Sequence, residues 1–559
     1  MNQIIENGVM LKIHKGTNEI GGSCIELSTN NTTILLDYGT PLKDDSEQVV
    51  LDTKVDAILI SHPHQDHFGE IVNIDTDTPV YCGELSLELM NATKIFTGYT
   101  VLENNFHTFN AWQEFEIGDF KIKPYLVDHS ATDAYAFLIE ANGKKILYSG
   151  DFRANGRKSK LFDRMLRDDD LKEVDILLME GTMLQRSNND FPTEQSVEEK
   201  IYSTIKENDQ ISFMIGSSQN IDTLVSAYRA CKRAGKIFVV DMYTAWILEK
   251  LQAVSNSIPH MSWNDVKVLR SFGKYYYDKI SENPTHFGDF KSKIYESGNH
   301  IQLEEIKLNP NNYFLKISPS FIDRSMKKLE MDNANIIYSQ WLGYLKEEFS
   351  DIKTVKMYKT LEDKYNWVYA HTGGHADLEA LKKFASAINP KKLIPIHTEY
   401  KEEFSEHFEN VKVLEDDESH LILSTGLNDK QVDELNEIFK DDLEIATDEA
   451  IQEWIGIDLD GTLAHYDEWR GIEHIGKPIQ PMIEFVKKLL AKGNKLKIFT
   501  ARAENLEATS YIHSWLIEHG LPHLDVTNIK DLAMTMLYDD RCRQVITNSG
   551  KILPIRTSA

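Results

Sequence analysis

The stretch Ser61–Glu70, SHPHQDHFGE, sets His62, His64, Asp66 and His67 within six positions, directly after an apolar run. Alternate residues of an extended segment point the same way, so His62 and His64 can grip one ion. The turn that follows can aim Asp66 and His67 at a neighbouring ion. Imidazole nitrogen combined with carboxylate oxygen suits zinc or manganese. Three further polar residues stand where strands should end: His129 after KPYLVD, Asp151 after KILYSG and His397 after LIPI. A carboxylate such as Asp151 can bridge two ions. Two cations close together clamp the attacking and leaving oxygens of a phosphoryl displacement, and they lower the pKa of a coordinated water to roughly 7.

A second constellation lies near the other end. IGIDLDGTLA places Asp458 and Asp460 at the end of an apolar strand, pointing to one side, where they can share a Mg2+. One carboxylate can attack phosphorus while the other shuttles a proton. Thr500 follows the strand KLKIF, Lys530 in NIKD can balance phosphate charge, and Asp539 and Asp540 in YDDR are available to the metal. A weaker signal is Ser217, Ser218 and Asn220. They lie between a strand and a helix, where backbone N–H groups can hold a phosphate, but Ser and Asn are also ordinary helix caps.

These residues need elements to position them. From Met10 to about Leu178 short β-rich apolar runs alternate with polar turns, so the polar residues can converge on one edge. The pattern changes over 193–365 to an α/β alternation, EQSVEEKIYSTIKEN being its first helix. KYNWVYAHTGGHADLEALKKFASAINPKKLIPIHTEY then returns to strand, loop, helix and strand. The acidic stretch 428–450 reads as a linker. The expected organisation is therefore a first unit in two parts, 1–192 and 366–427, an insert over 193–365, and a last unit over 451–559.

Bulk properties narrow the function. A chain of 559 residues with 41% hydrophobic content implies two to four packed domains. The net charge of −27 argues against loose, charge-driven attachment to nucleic acid or anionic membrane. It leaves room for a nucleic-acid enzyme that relies on metal ions and a local basic groove. No run is apolar enough to span a bilayer, no signal peptide is evident, and Cys24, Cys82, Cys231 and Cys542 are scattered. A cytoplasmic protein with buried thiols is expected.

The HxHxDH motif, His129, SGD and His397 together resemble the metallo-β-lactamase superfamily over roughly Met10 to Leu423. The inserted α/β unit resembles the β-CASP nuclease branch, and the run from His371 to Tyr400 is most similar to ribonuclease J. The resemblance implies an αββα sandwich and two Zn2+, with Mn2+ as the alternative. His62, His64 and His129 would hold one ion, Asp66, His67 and His397 the other, and Asp151 would bridge. Asp37 in LLDYG would orient a ligand from behind. Glu180 in MEGT and His375 in GGHAD would sit by the scissile phosphate. A histidine at 397 is the pattern of RNA-directed members, so single-stranded RNA is the expected substrate. Two features depart from ribonuclease J: Gly373 stands where a serine is usual, and IIYSQWLGYL replaces a Gly-rich segment. His371 has no role in the family pattern and reads as a structural hydrogen-bonding residue.

The ordered set Asp458, Asp460, Thr500, Lys530, Asp539 resembles the haloacid dehalogenase (HAD) phosphatases, which implies a small Rossmann-like domain with Asp458 as nucleophile and Asp460 as acid/base. The expectation is a bifunctional α/β enzyme that cuts RNA and hydrolyses phosphomonoesters. The rivals are a DNA-directed nuclease of the same fold, a small-molecule metallo-hydrolase and a non-enzymatic, metal-stabilised RNA-binding scaffold.

Overall fold

The computed structural model describes residues 8–42, 49, 51, 54–187, 190–270, 274–296, 298–423, 454–491, 495–504, 506–521, 524–530 and 534–539. Asp540, Cys542 and the stretch 428–450 lie outside them. The chain divides into two compact units, Met1–Glu437 and Ile438–Ala559.

In the first unit two mixed sheets face each other. One runs in the order Ser419–Leu423, Gly8–Lys15, Cys24–Ser28, Thr33–Leu36, Ala57–Leu59, Pro79–Gly83, Asn105–Phe109. The other runs Lys392–Ile396, Ile176–Glu180, Lys144–Tyr148, Tyr135–Ala141, Phe120–Leu126, Phe115–Ile117. The apolar runs are continuous because both faces of these strands are covered. Ile34, Leu36, Ile146, Tyr148, Ile176 and Leu178 point inward and share one core between the sheets. Their neighbours point outward: Leu35 packs with Phe68 and Met90, and Leu147 and Leu177 pack with Leu381 and Phe384. The last two belong to the helix Leu378–Ile388, which Asp377 caps by accepting the Ala380 N–H at 2.9 Å. This is a helix–sheet–sheet–helix arrangement.

Strand direction gathers the polar strand ends. Thr33–Leu36 pairs parallel with Ala57–Leu59, and Lys144–Tyr148, Ile176–Glu180 and Lys392–Ile396 are parallel to one another. Phe120–Leu126 is antiparallel to Tyr135–Ala141, which is antiparallel to Lys144–Tyr148, so it runs the same way as the last. The chain positions just after these strands, carrying Asp37, His62, His129, Asp151 and His397, therefore fall at one edge of the paired sheets.

The inserted unit is a seven-stranded parallel sheet in the order His300–Ile301, Val266–Leu269, Ile237–Val240, Tyr313–Lys316, Ser212–Ile215, Asn335–Tyr338, Asn366–Tyr369. Its last strand lies beyond the boundary expected at residue 365. An apolar run identifies a strand without saying which sheet it joins, and here Asn366–Tyr369 continues the inserted sheet.

The second unit holds a four-stranded parallel sheet in the order Asp525–Thr527, Lys495–Phe499, Trp454–Asp458, Met534–Tyr538. Its first strand has later strands on either side, the topology that creates a crevice beyond the carboxyl ends of the strands.

Candidate active site

At the shared edge of the two sheets, imidazole nitrogens crowd together. His62 Nε2 lies 3.1 Å from His64 Nδ1, and His129 Nε2 lies 3.3 Å from the same atom. His129 donates its Nδ1–H to the Gly374 carbonyl at 2.6 Å, so the lone pair of Nε2 is left facing its neighbours. Burial pushes His62 and His129 well below the ordinary imidazole range and His64 down to about 4. All three are therefore neutral at pH 7, as metal ligands must be.

Beside this trio, Asp66, His67 and His397 form a second group, and His62, His67 and Asp151 a third that joins the two. Asp66 Oδ2 lies 3.7 Å from His67 Nε2 and 3.5 Å from His397 Nε2. Asp151 Oδ2 lies 3.1 Å from His67 Nε2, without the alignment of a hydrogen bond, and 3.7 Å from His62 Nε2. His67 Nε2 and His397 Nε2 are both buried with no hydrogen-bond partner among the described residues. Leaving two such nitrogens orphaned beside carboxylates is costly unless a cation fills the gap. The donor set fits a divalent metal, zinc in particular.

The far side of each ligand is held. Asp37 accepts from the Ser61 N–H at 2.6 Å, the Ser61 hydroxyl at 2.7 Å, the Tyr148 hydroxyl at 2.6 Å and His67 Nδ1 at 2.7 Å. Thr182 Oγ1 contacts His397 Nδ1 at 2.8 Å. Asp37 and His397 both adopt left-handed backbone, with φ of 60° and 49°. For non-glycine residues this costs on the order of 1–3 kcal/mol each, a strain that surrounding contacts must hold in place. Asp37→Asn would turn an amide N–H toward groups that are already donors. It should weaken zinc affinity about 10- to 100-fold, read by competition with a chromogenic chelator, with the circular dichroism spectrum unchanged.

Glu180 and His375 form a pair at the mouth of the site. Glu180 is fully buried and accepts from the Phe152 N–H at 3.0 Å, while its other oxygen lies 3.0 Å from His375 Nδ1. Burial pulls the His375 pKa down, but the carboxylates of Glu180 and Asp151 more than reverse this and raise it to about 9. His375 opens onto a cavity of about 590 Å3 that Asp66, Asp151, Ser217, Asn220 and Ser339–Leu342 also line. The segment SQWL, where the sequence departs from the ribonuclease J pattern, is thus part of the cavity wall. His371 lines the cavity too, and its buried Nδ1 has no hydrogen-bond partner among the described residues.

Ser218 does not reach the cavity. It contacts Thr244 Oγ1 at 2.8 Å and accepts from Lys316 Nζ at 3.2 Å inside the inserted unit. Residues leaving a strand alternate in direction, so Ser217 faces out where Ser218 faces in. Asn220 caps the helix Ile221–Arg233 through the Thr223 N–H at 3.2 Å.

The sequence gives no spacing signal for Thr182, Tyr148 or the Gly374 carbonyl. It also hides Arg153, which follows SGD by one residue and is fully buried. Its guanidinium meets Asp128 at 3.3 Å, Glu194 at 3.3 Å, Asp222 at 2.7 Å and the Gly373 carbonyl at 3.2 Å. It thereby ties two helices of the inserted unit, Glu194–Glu207 and Ile221–Arg233, to the loop that carries His375.

In the second unit Asp458 ends the first strand, and Thr500 and Asp539 follow the two strands beside it. Asp460 is gripped by Arg502, Nε at 2.6 Å and Nη2 at 2.9 Å. Arg502 also donates to the carbonyls of Gly471, Ile472 and His474, pinning the loop after DLDGT. Lys530 is exposed beyond Asp525–Thr527. Every group of three or more metal-capable side chains among the described residues lies in the first unit, so the acids of the second unit are not drawn into such a group. Among the described residues no helix is long and apolar enough to cross a membrane.

Residues 32–207 match the beta-lactamase superfamily domain, and residues 368–416 match the Zn-dependent metallo-hydrolase RNA specificity domain. An RNase J-like protein of Methanocaldococcus jannaschii is 31% identical over 277 residues, which cover 46% of this chain and 63% of that one. Ribonuclease J of Helicobacter pylori is 23% identical over 408 residues, 69% of this chain and 55% of that one. The chain thus spans little more than half the length of these relatives. A crystal structure of a protein of unknown function from Enterococcus faecalis superposes with a TM-score of 0.56 at 19% identity, covering 74% of this chain and all of that one.

Proposed function

We propose that this chain, whose first unit has the metallo-β-lactamase fold, is a two-zinc ribonuclease of the β-CASP type, related to ribonuclease J, joined to a Mg2+-dependent HAD-like phosphatase. The observation that carries the first part is the convergence of seven potential ligands beside one cavity, lined by three of them, His64, Asp66 and Asp151, by the His375 of the Glu180–His375 pair, and by residues of the inserted α/β unit. The RNA specificity match spans both His375 and His397, and the relatives described as ribonucleases support the same substrate.

His62, His64 and His129 would hold one zinc and Asp66, His67 and His397 the other, with Asp151 between them. When bound, the two ions supply Lewis-acid activation of the phosphodiester and of the attacking water. The protein's own work is orientation and proton handling. Asp37, Thr182 and the Gly374 carbonyl fix the ring orientations of His67, His397 and His129. His375 faces the cavity with its Nδ1 held by Glu180, so it would donate a proton to the leaving oxygen from its other nitrogen, while Glu180 orients the ring. His375→Ala should lower kcat for RNA about 10^2-fold with little change in bound metal, since general-acid groups contribute roughly 10^2–10^4-fold. The check is single-turnover cleavage beside metal analysis of the same sample.

The RNA assignment is tested with one single-stranded sequence made as RNA and as DNA, incubated with Zn2+- or Mn2+-loaded protein. RNA should be cut and DNA spared. Equal cleavage of both would favour the DNA-directed rival, and ester hydrolysis with neither polymer cut would favour the small-molecule hydrolase.

The phosphatase reading rests on the parallel sheet, its switch in strand order beside Asp458, and the placement of Thr500 and Asp539 at the adjoining strand ends. Asp458 would be the nucleophile and Asp460 the acid/base, with Asp539 and Asp540 completing the Mg2+ site and Lys530 balancing phosphate charge. Arg502, absent from the expected set, holds the Asp460 carboxylate in place. The natural coupling is trimming of terminal phosphates on RNA ends.

A further inference from the structure

We propose that Trp341, backed by Arg186, is a stacking platform for a nucleobase of the RNA strand beside the metal-binding residues. The inference rests on the ribonuclease reading and goes beyond it by naming what grips the substrate next to the reacting phosphate.

Trp341 lines the same cavity as Asp66, Asp151 and His375. It follows the strand Asn335–Tyr338, and its carbonyl accepts the Tyr338 hydroxyl at 3.1 Å. The indole is braced edge-on by Tyr344 at 5.5 Å and Phe349 at 4.7 Å between ring centroids. A Cβ on residue 343 would sit 2.3 Å from the ring, so only a glycine there lets the indole lie as it does. The Arg186 guanidinium stands 4.7 Å from the ring centroid and is itself tied to Glu399 at 3.1 Å, two residues from the ligand His397. A rigid indole with a guanidinium stacked against it is the kind of surface on which unstacked bases lie.

Charge favours such a platform. The formal net charge of −27 argues against holding a polyanion by diffuse attraction. Base stacking supplies sequence-tolerant affinity that does not depend on phosphate neutralisation. A cavity of about 590 Å3 is in the size range of sites that enclose a small ligand, enough to take a terminal nucleotide or one base turned out of the strand.

The test uses the full-length, metal-loaded protein with Trp341→Ala and Trp341→Phe, and RNA oligonucleotides carrying one abasic nucleotide at successive positions. Stacking is worth about 1–3 kcal/mol per base, so Trp341→Ala should raise KM roughly 10-fold while kcat changes less than about 2-fold. Trp341→Phe should recover most of the loss. In the wild type an abasic residue at one particular position should raise KM by a similar factor, and combining it with Trp341→Ala should add nothing. Should Trp341→Ala fail to fold, Trp341→Leu beside Trp341→Phe gives the same contrast. An unchanged KM in the alanine or leucine variant, or abasic and Trp341 effects that multiply at every position, overturns the platform while leaving the ribonuclease intact. RNA left uncut by metal-loaded wild type overturns the ribonuclease reading, and the platform with it.

Discussion

Asp151→Ala should abolish RNA cleavage, lowering kcat by at least about 10^4-fold, the largest single effect expected in the first unit. The reason is position. Asp151 is the carboxylate that lies against both ligand groups, 3.1 Å from His67 Nε2 and 3.7 Å from His62 Nε2. Its other oxygen is 3.6 Å from His397 Nδ1. Removing it takes one ligand from each proposed ion and leaves His67 Nε2 without the carboxylate nearest to it. Each tenfold in rate is about 1.4 kcal/mol, so the loss corresponds to roughly 5.5 kcal/mol, the scale of charge stabilisation expected from bound cations. Metal content should fall from two ions per chain in the same samples. A variant that keeps two ions and cleaves within tenfold of wild type would show that Asp151 does not join the two groups.

Asp458→Asn should remove phosphatase activity by roughly 10^3-fold or more while leaving the RNA cleavage pattern unchanged. The substitution keeps the shape of the side chain but deletes the nucleophilic oxygen, the one atom whose role no neighbour can assume. Asp460 has a different part in this reading, that of acid/base, and Arg502 fixes its carboxylate through both oxygens. The assay is phosphate release from a terminally phosphorylated RNA oligonucleotide and from a small aryl phosphate. Loss on both substrates supports phosphomonoester chemistry, and preference for the oligonucleotide supports coupling between the units. Release that is undiminished in Asp458→Asn would remove Asp458 from the reaction.

How far the sequence reaches depends on the kind of residue. Candidate ligands at strand ends were legible because a strand is recognisable by its apolar run, and parallel strands gather their carboxyl ends on one edge. His62, His64, His129, Asp151 and His397 were all picked out this way, whereas the αββα layering was expected from the family resemblance. Supporting residues were not legible. Thr182 and Tyr148 act through one hydroxyl each, and Gly374 through a main-chain carbonyl, so none leaves a spacing pattern. Arg153 is invisible for a different reason: its partners Asp128, Glu194 and Asp222 are scattered along the chain, and only folding assembles them. Ser218, grouped with Ser217 and Asn220 as neighbouring polar residues, turns its side chain into the inserted unit, because consecutive residues leaving a strand face opposite ways. The Asn366–Tyr369 strand was read correctly as a strand but assigned to the wrong sheet, because pairing partners are set by topology and not by local composition.

The most direct test of the central claim is cleavage of a single-stranded RNA, labelled in turn at each end, by metal-loaded wild type and Asp66→Ala purified in parallel. Asp66 lies between His67 and His397, and its substitution leaves the His62, His64 and His129 trio untouched. Wild type should cleave the RNA, Asp66→Ala should not, and the direction of the product ladder should give the polarity. Equal cleavage by both proteins, or intact RNA after incubation with fully metallated wild type, would contradict the central claim.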